Sequence, residues 1–220
     1  MNKKYIPFIV VLLVLVADQW LKIWVKTNMD YGQSIQVLGS WFQFHFIENE
    51  GMAFGKSLPI PNAKLILTLF RIGAVIFIGY YVIKLIQKKA SKGLIICISL
   101  ILAGALGNII DSVFYGVIFD EVESKAKIFS DNPGYSSYFH GNVVDMLYVE
   151  LYDGYWPSWM PFVGGDRFVF FRPVFNIADS AITCGVFAIL IFQRRFFKKK
   201  IVGDPEPTNS DDYELSLIHI

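Results

Sequence analysis

The sequence predicts a mainly α membrane protein. It has four transmembrane helices, cytoplasmic N- and C-termini, a small extracytoplasmic β-sheet and an interfacial segment. Three observations carry this. The 220 residues are 54% hydrophobic and 16% aromatic but only 18% charged, against about 45–50% apolar and about 25% charged in an average soluble domain. The apolar residues are concentrated in four long runs, roughly 5–25, 65–86, 94–115 and 174–192. Basic residues cluster at alternate ends of those runs. The same composition argues against disorder, and a net charge of +1 gives no sign of nucleic-acid binding.

A span needs about 20 mostly apolar residues, because the hydrocarbon core is about 30 Å thick and a helix rises about 1.5 Å per residue. The first run is too long for a signal peptide, carries Asp18, and has no small-residue cleavage pattern after it, so it reads as a retained helix. Lys3 and Lys4 precede it, Lys84, Lys88, Lys89 and Lys92 surround the second connection, and Arg194, Arg195 and Lys198–Lys200 follow the last run. The bias of basic residues toward the cytoplasm puts those three regions inside and the loops of about 26–64 and 116–173 outside. Residues 1–200 then form a single integral membrane domain, and 201–220 an acidic, mobile cytoplasmic tail.

Within the outer loops, Ser40–Ile47 alternates in part and reads as a strand, with Arg167–Val174 as a second. Tyr155, Trp156 and Trp159 suit a segment lying on the outer membrane surface, where amphipathic rings are favoured, or a loop packed on protein. Val117–His140 is polar and reads as a plain loop. Cys97 and Cys184 lie in apolar runs and read as small packing residues, with no disulfide framework or paired-cysteine metal motif.

The charged residues that interrupt the runs are more informative, because ionisable groups inside a membrane are costly. Asp18 and Lys22, Asn108 and Asp111, and Asn176 and Asp179 are each spaced i,i+3 or i,i+4, so each pair shares a helical face. All lie toward the outer ends of their spans, as does Arg71. Together they would line a pocket about 10 Å below the outer surface. Asp145, in a short apolar stretch beginning at Gly141, belongs at the outer interface, within reach of Asp179. Two facing carboxylates share a proton: one deprotonates water, and the other polarises a carbonyl. This chemistry needs no metal and no cofactor. A structural ion pair is the competing reading for each acid, Asp18 with Lys22 above all, and Arg71 reads as a structural partner for one of them.

Five blocks then carry a family resemblance: Asp18-Gln19-Trp20-Leu21-Lys22, Asn49-Glu50-Gly51-Met52-Ala53-Phe54-Gly55, Gly104-Ala105-Leu106-Gly107-Asn108-Ile109-Ile110-Asp111, Gly141-Asn142-Val143-Val144-Asp145 and Phe175-Asn176-Ile177-Ala178-Asp179-Ser180. In this order, over about residues 5–195, the chain resembles lipoprotein signal peptidase (signal peptidase II), a family of aspartic intramembrane endopeptidases. The resemblance implies Asp145 and Asp179 as the catalytic dyad. It implies Asp18, Lys22, Asn49, Gly51, Asn108, Asp111, Asn142 and Asn176 as substrate-binding or supporting residues. It further implies diacylglyceryl-modified prolipoproteins as substrates, cut just before the lipidated cysteine. Contact with membrane lipid and inhibition by cyclic peptides of the globomycin type are expected too. The expected location is the bacterial cytoplasmic (inner) membrane, multi-pass, with the site toward the extracytoplasmic side. Ser112 stands where many members have Arg, so that cation is missing or comes from Arg71 or Arg172.

A proton-coupled transporter is the alternative, disfavoured by four spans without an internal repeat. A metallohydrolase would need more than the isolated pair His45 and Glu48. A serine-type intramembrane protease would need a histidine in the spans, and none of the three histidines lies there.

Overall fold

The computed structural model describes residues 3–49, 62–121 and 124–197. Four helices in it are long and apolar enough to cross a membrane: α1 (Ile6–Asn28), α2 (Ala63–Gln87), α3 (Lys92–Ile118) and α4 (Ile177–Phe197). Helix α3 is the centre of the bundle, packing on α1, α2 and α4. Half of its most apolar window is buried inside the protein, against 11% for α2. A helix as apolar as α2 with Phe70, Ile76 and Phe77 turned outward is covered by lipid, which can satisfy no backbone group, so its hydrogen bonds are internal.

Local signals set the helix starts. Pro7 occupies the first turn of α1, where a missing N–H costs nothing. The Ser91 side chain caps α3 by accepting from the Leu94 amide at 3.3 Å. Lys3 Nζ donates to the carbonyls of Lys89 and Ala90 at 3.0 and 2.8 Å, tying the N-terminus to the α2–α3 turn. A Cβ on Gly93 would come within 2.7 Å of the Phe196 ring, so the end of α4 lies there too. Lys3, Lys88, Lys89, Lys92, Arg194 and Arg195 therefore gather at one end of the bundle.

The opposite end carries an antiparallel sheet of order β1-β2-β3-β6, from β1 (Ser34–Leu38), β2 (Phe42–Asn49), β3 (Val143–Val149) and β6 (Val174–Phe175). A two-stranded ribbon, β4 (Tyr152–Tyr155) with β5 (Arg167–Phe170), extends from it. Phe46, Val144 and Met146 bury against Leu21 and Val25 of α1, against Met29 just after it, and against Tyr115 and Phe119. The pairing Phe44↔Leu147 followed by Ile47↔Asp145 shows a bulge in β2 beside Asp145. Bulges of this kind re-aim side chains next to active sites.

Several boundaries differ from expectation. The fourth helix starts at Ile177, because Val174 and Phe175 pair with Tyr148 and Leu147 instead. Strand β1 was not legible: all five of its residues are exposed, and among the described residues it pairs with β2 alone. The stretch after Ile118 is no plain loop. Phe119 and Ala126 are buried, the Ala126 amide bonds the Lys26 carbonyl at 3.0 Å, and the Tyr135 amide bonds the Phe119 carbonyl at 3.0 Å. Cys97 is buried as expected, but Cys184 is exposed. The tail of 201–220 lies outside the described residues.

Candidate active site

Asp18 and Lys22 lie one turn apart on α1 and face α3. Lys22 Nζ sits 2.9 Å from Asp18 Oδ2 and 2.8 Å from Asp111 Oδ2, and donates to Asn108 Oδ1 at 3.0 Å, with the three charged side chains wholly buried. One ammonium thus holds two carboxylates. Asp18 Oδ1 also accepts the Ala178 amide at 2.8 Å, satisfying an orphan donor at the start of α4. Gln19 Nε2 donates to Asp111 Oδ1 at 2.9 Å, and Asp111 Oδ2 accepts the Val144 amide at 3.3 Å. The cluster therefore ties α1, α3, β3 and α4 into one unit.

Two glycines permit this closeness. A Cβ on Gly104 would lie 2.1 Å from the Ala178 carbonyl oxygen, and one on Gly107 would lie 2.7 Å from Asp18 Oδ2. At Asp111 helix α3 widens into a π-turn, Asp111–Tyr115, of the kind found mostly at functional sites.

Asp145 and Asp179 stand on different elements, β3 and the first turn of α4, and a chain of amides links them. Asn176 caps α4: its Oδ1 accepts the Asp179 amide at 2.8 Å. Its Nδ2 reaches Asp145 Oδ1 at 2.7 Å and Asn108 Oδ1 at 3.1 Å. Asn108 Nδ2 in turn donates to Asp179 Oδ1 at 2.8 Å. Asn49 Nδ2 donates to the second Asp145 oxygen. Asp179 lies in the first turn of α4. Asp145 is nearly buried. Burial first, and the Asp179 charge second, push its carboxyl up to about 7.

Arg71 of α2 reaches the same region, with Nη1 3.4 Å from Ser112 Oγ and with Asp179, Asp111 and Asp145 as its charge partners. Arg172 is elsewhere: its Nε bonds the Tyr148 hydroxyl at 2.8 Å and pairs with Glu150 at 3.3 Å on the exposed side of the sheet. Of the two arginines considered for the missing cation, Arg71 is the one at the cluster.

Eight of the ten expected site residues thus meet in one connected cluster. Asn142 sits in an adjoining network. Its amide donates to Glu48 Oε2 at 3.0 Å, its Oδ1 accepts from Lys64, and its backbone N–H donates to the Tyr135 hydroxyl at 2.7 Å. Gly51 lies outside the described residues. Sequence reasoning missed Gln19, Tyr115 and Lys26. Tyr115 donates to Gln19 Oε1 at 3.1 Å. Lys26 is buried, pairs with Glu48, and has the Phe119 and Tyr135 rings 5.2 and 4.9 Å away. The spacing Asp18, Lys22, Lys26 (i, i+4, i+8) carried the signal for Lys26, which had been assigned to the outer loop.

Four apolar helices around a polar cluster buried at one end make this a multi-pass membrane protein with a candidate active site. Two solved bacterial membrane enzymes share the fold. One gives a TM-score of 0.55 at 25% identity, covering 89% of this chain and 92% of the other, and the second gives 0.54 at 26% identity, covering 85% and 91%. The sequence narrows this further. Residues 10–195 match signal peptidase (SPase) II. The lipoprotein signal peptidase of Porphyromonas gingivalis is 49% identical over 206 residues, 91% of this chain and 89% of that protein. That of Amoebophilus asiaticus is 40% identical over 219 residues, 98% of this chain and 89% of its own. The chain belongs to the signal peptidase II family and is a protease.

Proposed function

We propose that this protein removes signal peptides from diacylglyceryl-modified prolipoproteins, cutting just before the lipidated cysteine with Asp145 and Asp179 as its catalytic dyad. The observation that carries the proposal is the amide chain Asp145–Asn176–Asn108–Asp179, which binds both carboxylates into one unit at the end of the bundle. Asp145, with its raised pKa, is the favoured seat of the dyad's proton. Asp179 takes a proton from water as the water oxygen attacks the scissile carbonyl carbon. The Asp145 proton polarises the carbonyl oxygen. On collapse of the tetrahedral intermediate, the C–N bond breaks and the dyad protonates the leaving amine.

Asn49, Asn108 and Asn176 hold the dyad by donating to it. Lys22, Asp18 and Asp111 fix the helices beneath it, and Gly51 and Asn142 serve the substrate side. The basic residues gathered at the opposite end of the bundle support an extracytoplasmic site in a bacterial cytoplasmic membrane. There the signal helix and lipid chains stay in the bilayer while the scissile bond meets the dyad. A globomycin-type cyclic peptide would compete for the same position.

The test compares two precursors that differ only in the diacylglyceryl group on the cysteine, each incubated with purified protein and read by mass spectrometry. Cleavage before the lipidated cysteine alone is expected. Equal cleavage of the unmodified precursor, or of neither, would refute the assignment.

A further inference from the structure

The ribbon beyond β3 is unlike the rest of the extramembrane part. Its backbone bonds run without a break from the sheet: the Val149 amide to the Pro173 carbonyl, Leu151 to Phe171, and Trp156 to Asp166. Its second strand ends at Phe170, seven residues before α4 begins at Ile177, so along the chain the ribbon lies between β3, which carries Asp145, and α4, which carries Asp179.

Directly paired residues of an antiparallel ribbon share a face. The pairs Tyr152↔Phe170 and Gly154↔Phe168 therefore put Tyr152, Phe168 and Phe170 on one side, with Trp156 continuing it. These rings touch, Trp156 to Phe168 at 4.2 Å between centroids and Phe168 to Phe170 at 6.2 Å, around a hollow of about 340 Å³. The other face carries the Arg167–Asp153 ion pair, Nε to Oδ1 at 2.9 Å, and Tyr155, which pairs with Arg167 and so differs from the expectation that placed it with Trp156 and Trp159 on the membrane surface. From Gly154 to Gly165 there is no charged residue, and at the tip Trp159 is 78% exposed and Phe162 fully so.

An isolated two-stranded hairpin is marginal in water, and a contiguous uncovered aromatic patch marks a contact surface. The surface continuous with this one is the bilayer that the four helices cross. Tyr and Trp are the residues enriched where lipid meets water.

We infer that the aromatic face and tip of the β4–β5 ribbon seat in the headgroup–acyl boundary of that bilayer. The ion-paired face then remains in water, and the lipid supplies the missing layer against the rings. Membrane seating also steadies the two strands that lead back to the dyad. Amphipathic helices at this boundary bury their apolar face about 5–10 Å, and the ribbon's rings are expected to reach a similar depth.

The experiment uses the full chain carrying Trp20→Phe, Trp24→Phe, Trp41→Phe and Trp156→Phe in phosphatidylcholine nanodiscs, so that Trp159 alone reports. Phosphatidylcholine with a nitroxide near the headgroup end of its acyl chain should remove most of the emission. A nitroxide at the chain end should remove less, and aqueous iodide least. Iodide quenching without lipid quenching would overturn the inference, as would indifference to both (a protein surface covers the tip) or stronger quenching from the chain end. If that variant does not fold, Phe162→Cys with Cys184→Ser carries an environment-sensitive dye against the same quenchers, with the same outcomes. Asp145→Asn must give the same result, which separates this surface from the peptidase chemistry.

Discussion

Ionisation of Asp145 should cost the folded protein stability, and Asp145→Asn should remove that cost. Its carboxyl is held at about 7, by burial first and by Asp179 second, whereas an unfolded Asp titrates near 4. A raised acid pKa means the fold favours the protonated form. That contribution is complete below the unfolded pKa and is lost as pH rises through the folded one. Three units at about 1.4 kcal/mol each amount to about 4 kcal/mol lost between roughly pH 4 and 8. The Asn variant has no proton to lose. It does present an NH₂ group where Asn49 and Asn176 both donate to Asp145, a mismatch of about 1 kcal/mol at every pH. The variant should therefore be about 1 kcal/mol less stable than the parent at pH 4 and about 3 kcal/mol more stable at pH 8. Equilibrium unfolding in detergent, with both proteins carrying Cys184→Ser so that a thiol-reactive dye reads only buried Cys97, gives both curves, and groups common to the two proteins cancel. Parallel curves across this range would refute the reasoning.

Lys22→Met should cost about 3–5 kcal/mol, since it leaves Asp18 and Asp111 buried without their cation, and a lowered Tm in detergent would report it. Arg71→Leu should lower kcat/KM, and adding Ser112→Arg in that background should restore part of it, because the two positions meet at 3.4 Å. No rescue would remove Arg71 from the role of substitute cation. Gly104→Val should push α4 from α3, since even a Cβ lies 2.1 Å from the Ala178 oxygen. Both Tm and turnover should fall, and an unchanged Tm would contradict the close packing.

The spans were legible because hydropathy is a local property, and the acids were legible because each broke an apolar run at one depth. Their partners were not. Asp18 is held by Lys22 one turn away, which spacing can suggest, but also by the Ala178 amide 160 positions on. No periodicity encodes that bond. Val174 and Phe175 look like the start of a helix until β3 is there to pair with them. The stretch after Ile118 looks polar by composition, yet Phe119, Ala126 and Tyr135 dock it on α1 through contacts visible only in three dimensions. Lys26 resembled a loop lysine because its partner Glu48 is on a strand 22 positions away.

The central claim is that both aspartates do the chemistry. The most direct measurement is single-turnover cleavage of a diacylglyceryl-modified precursor by Asp145→Asn and by Asp179→Asn, each first shown to fold by its melting curve. The account predicts folded protein and no cleavage in both cases. Cleavage retained by either folded variant would contradict it.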